Sequence, residues 1–356
     1  MSDAGTVYTA AVIGAGKAKD EGFMKGGGHR IGYTHGETYG RNNRTRLVAV
    51  ADINAENLRA YQESFDLEQG FADYREMLAV VQPDIVSICT YVGLHRQMIV
   101  DACRAGVKGI ICEKPFLAAP VDLSVVEAAA EASGTKIVVP HMRRYFPAFA
   151  RAKELYTGGE IGEPLLCIAG IPGWDLSEWG SHWLDMFRFF HDDQPVEWVF
   201  GQARVRDQRG YGHAMEDHAV AYFGFVNGGK AILDGGMKIA GEWTMTLVGT
   251  TGTIRIRRED ELVIQRADGQ RTESYTDHPG SSYPAIWNCL LADLIAWLDG
   301  GEEPMLGLTN MLKTSELNLA AYLSALRGDR IDLPLVSDLS EWPVEVLARR
   351  QLSQEH

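Results

Sequence analysis

Pro83-Asp-Ile-Val-Ser-Ile-Cys-Thr90 and Gly109-Ile-Ile-Cys-Glu-Lys-Pro-Phe116 decide the fold. Each begins as a short, nearly continuous apolar run, the texture of a parallel strand buried on both faces. The spacing predicts strands over 84–90 and 107–112 with a crossover helix over 95–105 between them. Glu113, Lys114 and Pro115 then leave the second strand at its carboxyl end, which in a doubly wound sheet faces the ligand crevice. A lysine there, held by the proline that follows, is placed to meet a bound cofactor and its substrate. Glu113 and Lys114 are therefore the first candidates for chemistry.

Toward the N-terminus, an apolar strand over 7–13 runs into Gly14-Ala15-Gly16, the start of a dinucleotide fingerprint. Its glycines permit a tight turn and let a pyrophosphate approach the backbone amides, which makes Gly14, Ala15 and Gly16 candidate cofactor contacts. The third glycine, due at position 19, is replaced by Lys19; if Gly32 takes its role, the loop carries a 13-residue insertion. That insertion could fold over the cofactor, reach a neighbouring subunit, or remain a surface loop. The next strand, over 47–51, ends in Asp52, whose carboxylate is suited to an adenosine ribose diol. Ile53 and Asn54 offer no arginine for a 2'-phosphate, so NAD is favoured over NADP.

Helices over 55–65 and 74–79 supply further crossovers. Thr90 ends the strand whose tip borders the nicotinamide side. His95 opens the following helix, either as a cofactor contact or as a capping and packing residue. A last strand over 136–140 leads into His141-Met-Arg-Arg-Tyr145, where Arg144 either reaches substrate oxygens or bridges two domains.

The chain has 356 residues, a length that favours two domains, expected over 1–146 and 147–356. Thirty-four basic against 48 acidic residues give a net charge of -14, a field that repels phosphate backbones and excludes nucleic acid as a partner. The five cysteines are scattered without metal-ligand spacing, as in reduced cytoplasmic proteins. No run approaches the roughly 20 apolar residues of a membrane span, and the start has no leader-like pattern. The expectation is a soluble, cytoplasmic protein.

Beyond residue 147 the texture changes. Ala203 and Val205 alternate with Arg204 and Arg206, and Ile254 and Ile256 with Arg255 and Arg257, the period of a sheet with one wet face. Asn227-Gly228 and Asp268-Gly269 mark hairpins. More apolar strands over 219–226 and 244–248 suggest that the second face is covered, with another subunit as a candidate cover. Helices over 286–298 and 310–326 are expected to pack on this sheet.

One segment stands apart: Gly173-Trp-Asp-Leu-Ser-Glu178-Trp-Gly-Ser-His182-Trp-Leu-Asp185. Glu178 and His182 are four apart and His182 and Asp185 three apart, so on a helix they share one face. A carboxylate beside an imidazole raises its basicity and fixes its tautomer, as a general base requires. A structural ion pair is the alternative; metal binding lacks a further clear ligand. Trp174 belongs either to the core or to a flat apolar platform for the C–H face of a sugar.

Taken together, these motifs resemble the glucose-fructose oxidoreductase, inositol dehydrogenase and MocA family. The resemblance rests on Gly14-x-Gly16, Asp52, Thr90 with His95, Glu113-Lys114-Pro115, Arg143-Arg144-Tyr145 and Gly180-x-His182-x-x-Asp185. It extends to Glu216-Asp217 and Gly249-Thr-Thr-Gly252 and covers nearly the whole chain. It implies an N-terminal Rossmann domain and a C-terminal open antiparallel sheet with helices on one face, joined through that sheet into dimers or tetramers. It further implies an NAD-dependent oxidoreductase acting on a secondary alcohol of a sugar or polyol, with Lys114 and His182 as catalytic groups. Glu178 would orient or charge His182, and Asp185 would bind a neighbouring hydroxyl. Two departures from the family pattern are Glu178, where aspartate is usual, and the long loop before Gly32. The same fold also admits a redox-neutral glycoside-cleaving enzyme and a non-catalytic NAD-binding regulator.

Overall fold

The computed structural model describes residues 5–18 and 29–353; most of the expected insertion before Gly32 lies outside the described residues. The first sheet consists of six parallel strands: β1 (Tyr8–Ile13), β2 (Thr45–Ala51), β3 (Gln69–Phe71), β4 (Ile85–Ile88), β5 (Gly109–Cys112) and β6 (Lys136–Val138). Their order is β3-β2-β1-β4-β5-β6. The order reverses between β1 and β4, so a crevice opens beyond the carboxyl ends of these strands. The crossovers are α1 (Ile31–Arg41), α2 (Ala55–Phe65), α3 (Tyr74–Val81), α4 (Val92–Arg104) and α5 (Pro120–Ser133).

Local chemistry starts these helices. The Asn54 side chain accepts from the amides of Glu56 and Asn57 at the head of α2, and Asp73 accepts from Arg75 at the head of α3. Helix α5 was not anticipated, because its Ala-rich middle carries only a weak apolar stripe. Pro120 in its first turn and an Asp122 carboxylate accepting from the Ala119 amide mark its start.

A 3-10 turn over Met142–Tyr145 leads to α6 (Pro147–Thr157) and into the second sheet. There β7 (Pro164–Pro172), α7 (Gly180–Phe190), β8 (Val196–Gly210), β9 (His213–Phe225) and β10 (Lys230–Gly236) follow in turn. Next come β11 (Thr244–Gly249), β12 (Gly252–Arg257), β13 (Glu261–Arg266) and β14 (Gly269–Ser274). The chain closes with α8 (Tyr283–Leu298), α9 (Leu308–Arg327), β15 (Ile331–Asp332) and α10 (Pro343–Leu352). The nine strands lie in the order β14-β13-β12-β11-β7-β10-β9-β8-β15. The sheet is mostly, not wholly, antiparallel. β10 returns from the β8–β9 hairpin to lie parallel to β7, with Ala231 opposite Cys167.

Strand register separates the two faces of this sheet. Val199, Phe223, Ala231, Cys167, Leu247 and Ile254 stand side by side and all are buried. One residue along, Phe200, Tyr222, Ile232, Ile168, Thr246 and Arg255 form a row on the opposite face, where Phe200, Ile168 and Arg255 are exposed. Helix α9 covers the buried face. It sits so close to β8 that a Cβ on Gly201 would lie 2.4 Å from the Ala321 carbonyl oxygen.

Helix α8 departs from expectation, because it packs on the first sheet. Leu294 and Leu298 meet Gly109 of β5, and Asp299, just past the helix, binds Tyr8 and Arg44. The late part of the chain thus returns to brace the crevice domain. Among the described residues no helix is long and apolar enough to cross a membrane.

Candidate active site

The carboxyl ends of β1, β2, β4 and β5 open into a cleft of about 800 Å³. Gly14 and Gly16 turn the chain there at φ +90 and +67. A Cβ on Gly14 would lie 2.9 Å from the Cys89 carbonyl oxygen, so only glycine lets β1 and β4 close up at this point. Gly32 does the work of the third fingerprint glycine, since a Cβ there would lie 2.5 Å from the carbonyl oxygens of both Gly14 and Ala15. The first turn of α1 therefore rests directly on the glycine turn. The Lys17 amide donates to the His29 carbonyl at 3.0 Å, which joins the two ends of the long loop.

At the tip of β2, Asp52 Oδ2 accepts from the Gly16 amide at 3.2 Å and Oδ1 from the Asn54 amide at 2.8 Å. Glycine turn, helix start and terminal carboxylate together fit a dinucleotide with an unmodified adenosine ribose. Gly14, Gly16, Asp52, Thr90, Glu113 and Lys114 all line the cleft, whereas Ala15 is buried beneath the turn.

Lys114 lies where the cleft meets the second domain. Its Nζ is 3.5 Å from both Glu178 Oε2 and the Glu178 carbonyl oxygen, and 5.7 Å from the centre of the Trp179 ring. Glu178 is not on a helix face with His182, as the spacing suggested. It lies in the turn before α7, where its amide donates to Asp175 Oδ2 at 2.9 Å. Burial pushes its carboxyl up to about 7, with Lys114 pulling it down and Asp175 pushing it up.

Among the described residues His182 has no carboxylate partner. Its Nδ1 is buried without a hydrogen bond, and the ring meets His141 edge-on at 5.3 Å. Burial, Arg143, Lys114 and His141 all disfavour the imidazolium, so the ring is held neutral, opposite to the basic imidazole expected from the sequence. Asp185 and Arg144 do not line the cleft and are paired with each other. Arg144 donates from Nε and Nη2 to Asp185 at 2.8–3.1 Å in the interior and from Nη1 and Nη2 to half-buried Asp193 at 2.7 Å. Trp174 packs against Trp179 at 4.2 Å, outside the cleft wall. His95 is fully buried, each ring nitrogen 3.0 Å from a backbone carbonyl, Phe116 on one side and Thr90 on the other. It ties the tips of β4 and β5 together, which is the packing role of the two considered.

Two groups of site residues escaped the sequence. His35 on α1 places Nε2 3.0 Å from Glu113 Oε1 and Nδ1 2.7 Å from Ser87 Oγ, which in turn lies 2.6 Å from Tyr39 OH. Although burial opposes it, His35 and Lys114 hold Glu113 below the usual carboxylate range. This chain steadies the residue next to Lys114; a histidine one turn past Gly32 was its only trace. The second group, Asp175, His213 and Glu216, lies behind Glu178 and is buried throughout. Among the described residues no three His, Cys, Asp or Glu side chains are arranged to hold a metal ion.

Residues 9–141 match the model of an oxidoreductase family with an NAD-binding Rossmann fold, and residues 149–255 match the GFO/IDH/MocA C-terminal domain. The chain is 29% identical to D-apiose dehydrogenase of Paraburkholderia graminis over 81% of its own length and 83% of that protein's. It is 24% identical to myo-inositol 2-dehydrogenase of Thermotoga maritima, over 69% of this chain and 78% of that one. An Agrobacterium radiobacter oxidoreductase, solved with NAD+, L-tartaric acid and magnesium, shares the fold with a TM-score of 0.74 at 23% identity, over 92% of this chain and 98% of that one. The two family models between them take in well over half of the sequence, with the glycine turn and Lys114 inside the first and His182 inside the second. The chain belongs to the GFO/IDH/MocA family of oxidoreductases.

Proposed function

We propose that the protein is an NAD-dependent dehydrogenase that oxidises a secondary alcohol of a sugar or polyol, with Lys114 and Glu178 handling the hydroxyl proton. The observation that carries this reading is the Lys114–Glu178 pair at the inner end of a dinucleotide-shaped cleft. Relatives named for apiose and inositol oxidation support the substrate class.

When bound, NAD supplies the hydride acceptor, held by the glycine turn and Asp52. Lys114 hydrogen-bonds the reacting hydroxyl and fixes its C–H toward the cofactor side. As the C–H electron pair leaves, the O–H bond breaks. Lys114 gives one ammonium proton to ionised Glu178 and, now a free amine, takes the hydroxyl proton, so that the alcohol loses a proton from its oxygen and a hydride from its carbon. A carboxyl poised near neutrality suits this exchange in either direction. His182, held neutral beside the cleft, is assigned the orienting of a hydroxyl instead of the storage of the proton. Trp179 offers the flat apolar face on which a sugar ring lies. The open row containing Phe200 and Ile168 is the surface through which copies of the chain would form a dimer or tetramer.

NADH formation by the purified protein on inositols, aldoses, sugar acids and glycosides, with NADP in parallel, tests this reading. Turnover with NAD on one of these classes supports it. Release of free sugar from a glycoside without accumulation of NADH, or NAD binding without any turnover, would replace it with the redox-neutral or the regulatory alternative.

A further inference from the structure

Behind Glu178, on the side away from the cleft, lies a second cationic group that the dehydrogenase reading does not use. His213 opens β9, just after the Tyr211-Gly212 turn. Its Nε2 is 3.7 Å from Asp175 Oδ2 and its Nδ1 4.0 Å from Glu178 Oε1. Among the described residues neither nitrogen has a hydrogen-bond partner, so both contacts are charge contacts. The ring is 2% exposed and lies 4.1 Å from the Trp342 ring, which closes it from above.

Three carboxyl groups, Asp175, Glu178 and Glu216, are enclosed here together. Like charges so close cannot all ionise without compensating cations. Glu216 is held by the Leu176 amide and by Tyr322 OH at 2.9 Å; burial and Asp175 push its carboxyl up. Glu178 faces Lys114 on the cleft side, with Asp175 and His213 behind it. Beyond His213, Glu345 of α10 is occupied by Arg209 at 2.8 Å and by the Ala214 amide at 2.7 Å. Among the described residues Lys114 and His213 are thus the two cations that face Glu178. Once Lys114 turns to a substrate hydroxyl, His213 is the one that remains.

We propose that His213 is a positioning residue for the proton transfer: as an imidazolium between Asp175 and Glu178, it keeps Glu178 ionised and able to receive the proton handed on by Lys114. The ring's own titration agrees. Burial lowers it, but Asp175, Glu178 and Glu216 more than reverse this and raise it above the ordinary histidine range. The kinetic consequence rests on the dehydrogenase reading, whereas the coupling between His213 and Glu178 does not.

The test has two arms. In the first, kcat/KM for alcohol oxidation is followed against pH in wild type and H213Q. Loss of the imidazolium makes Glu178 harder to ionise, so the acid limb moves upward by about one pH unit or more. Activity then falls about tenfold at pH 6 and recovers at high pH. A limb that stays in place, whatever its height, overturns the proposal even if wild type is an active dehydrogenase.

The second arm needs no substrate. In protein with 15N-labelled imidazoles, the ring identified by its proton contacts to the Trp342 indole should titrate above the ordinary histidine range, and its midpoint should fall in E178Q. A ring that is neutral at pH 7, or a midpoint indifferent to E178Q, overturns the proposal. This arm decides the matter even if H213Q fails to fold or no sugar is turned over.

Discussion

Lys114 Nζ stands 3.5 Å from Glu178 Oε2, and across that gap the crevice end of β5 meets the turn that starts α7. One partner is carried by the dinucleotide-binding sheet and the other by the second domain. The geometry of the proposed proton-transfer pair is therefore set by how the two halves of the chain seat on each other.

Removing the ammonium tests the first half of the pair. Lys114→Met keeps most of the side chain's apolar stem and deletes the group proposed to touch the reacting oxygen. Turnover should fall by about 10²–10⁴ with the thermal unfolding curve little changed. Full turnover in this variant would refute the assignment.

His182 should behave differently from a proton acceptor. His182→Asn removes a ring that is already neutral and that is proposed to orient a hydroxyl. We expect kcat/KM to drop about tenfold or more, with the acid limb of the pH profile left where it is in wild type. A limb that disappears in this variant would return the base role to His182.

Arg144 is expected to govern stability, because its guanidinium neutralises buried Asp185 and half-buried Asp193. Arg144→Met leaves a buried carboxylate unpaired and should cost about 3–5 kcal/mol in denaturant unfolding. KM measured at a temperature where the variant is folded should change little. Unchanged stability with a strongly raised KM would instead mark Arg144 as a substrate anchor.

Glu216 provides a test by pH. Burial and Asp175 raise its folded titration to about 7, above its ordinary 4.5. The stabilisation from its protonated form is thus complete below about pH 4.5 and is lost as pH rises through 7. Glu216→Gln keeps an acceptor for the Leu176 amide and never ionises. Its stability should match wild type near pH 5 and exceed it by roughly 1–3 kcal/mol at pH 8. An equal difference at both pH values would contradict the placement.

Much of the crevice domain was legible because its signals are local. Apolar runs that end in Gly14, Asp52 and Glu113-Lys114 mark strand tips, and strand tips are where a doubly wound sheet binds ligands. The residues around His182 were harder to read, because spacing gives neighbours only within a helix. Glu178 lies before α7 and not on it, so the expected face of Glu178, His182 and Asp185 does not form. Asp185 looked available only because its partner Arg144 is 41 residues away, on the far side of β7 and α6. His213 had no signal of its own, since its neighbours Asp175 and Trp342 are brought to it by the hairpin of β8 and β9 and by the approach to α10. Helix α8 was assigned to the wrong sheet for a related reason: an apolar helix shows that it must be covered, not by what.

The most direct test of the account is the pH dependence of kcat/KM for alcohol oxidation in wild type and E178Q. Wild type should lose activity as pH falls through about 7, where Glu178 takes up a proton. In E178Q the remaining activity should be low and should not share that limb. An E178Q enzyme that keeps the limb near pH 7 would contradict the claim that Glu178 receives the substrate's proton.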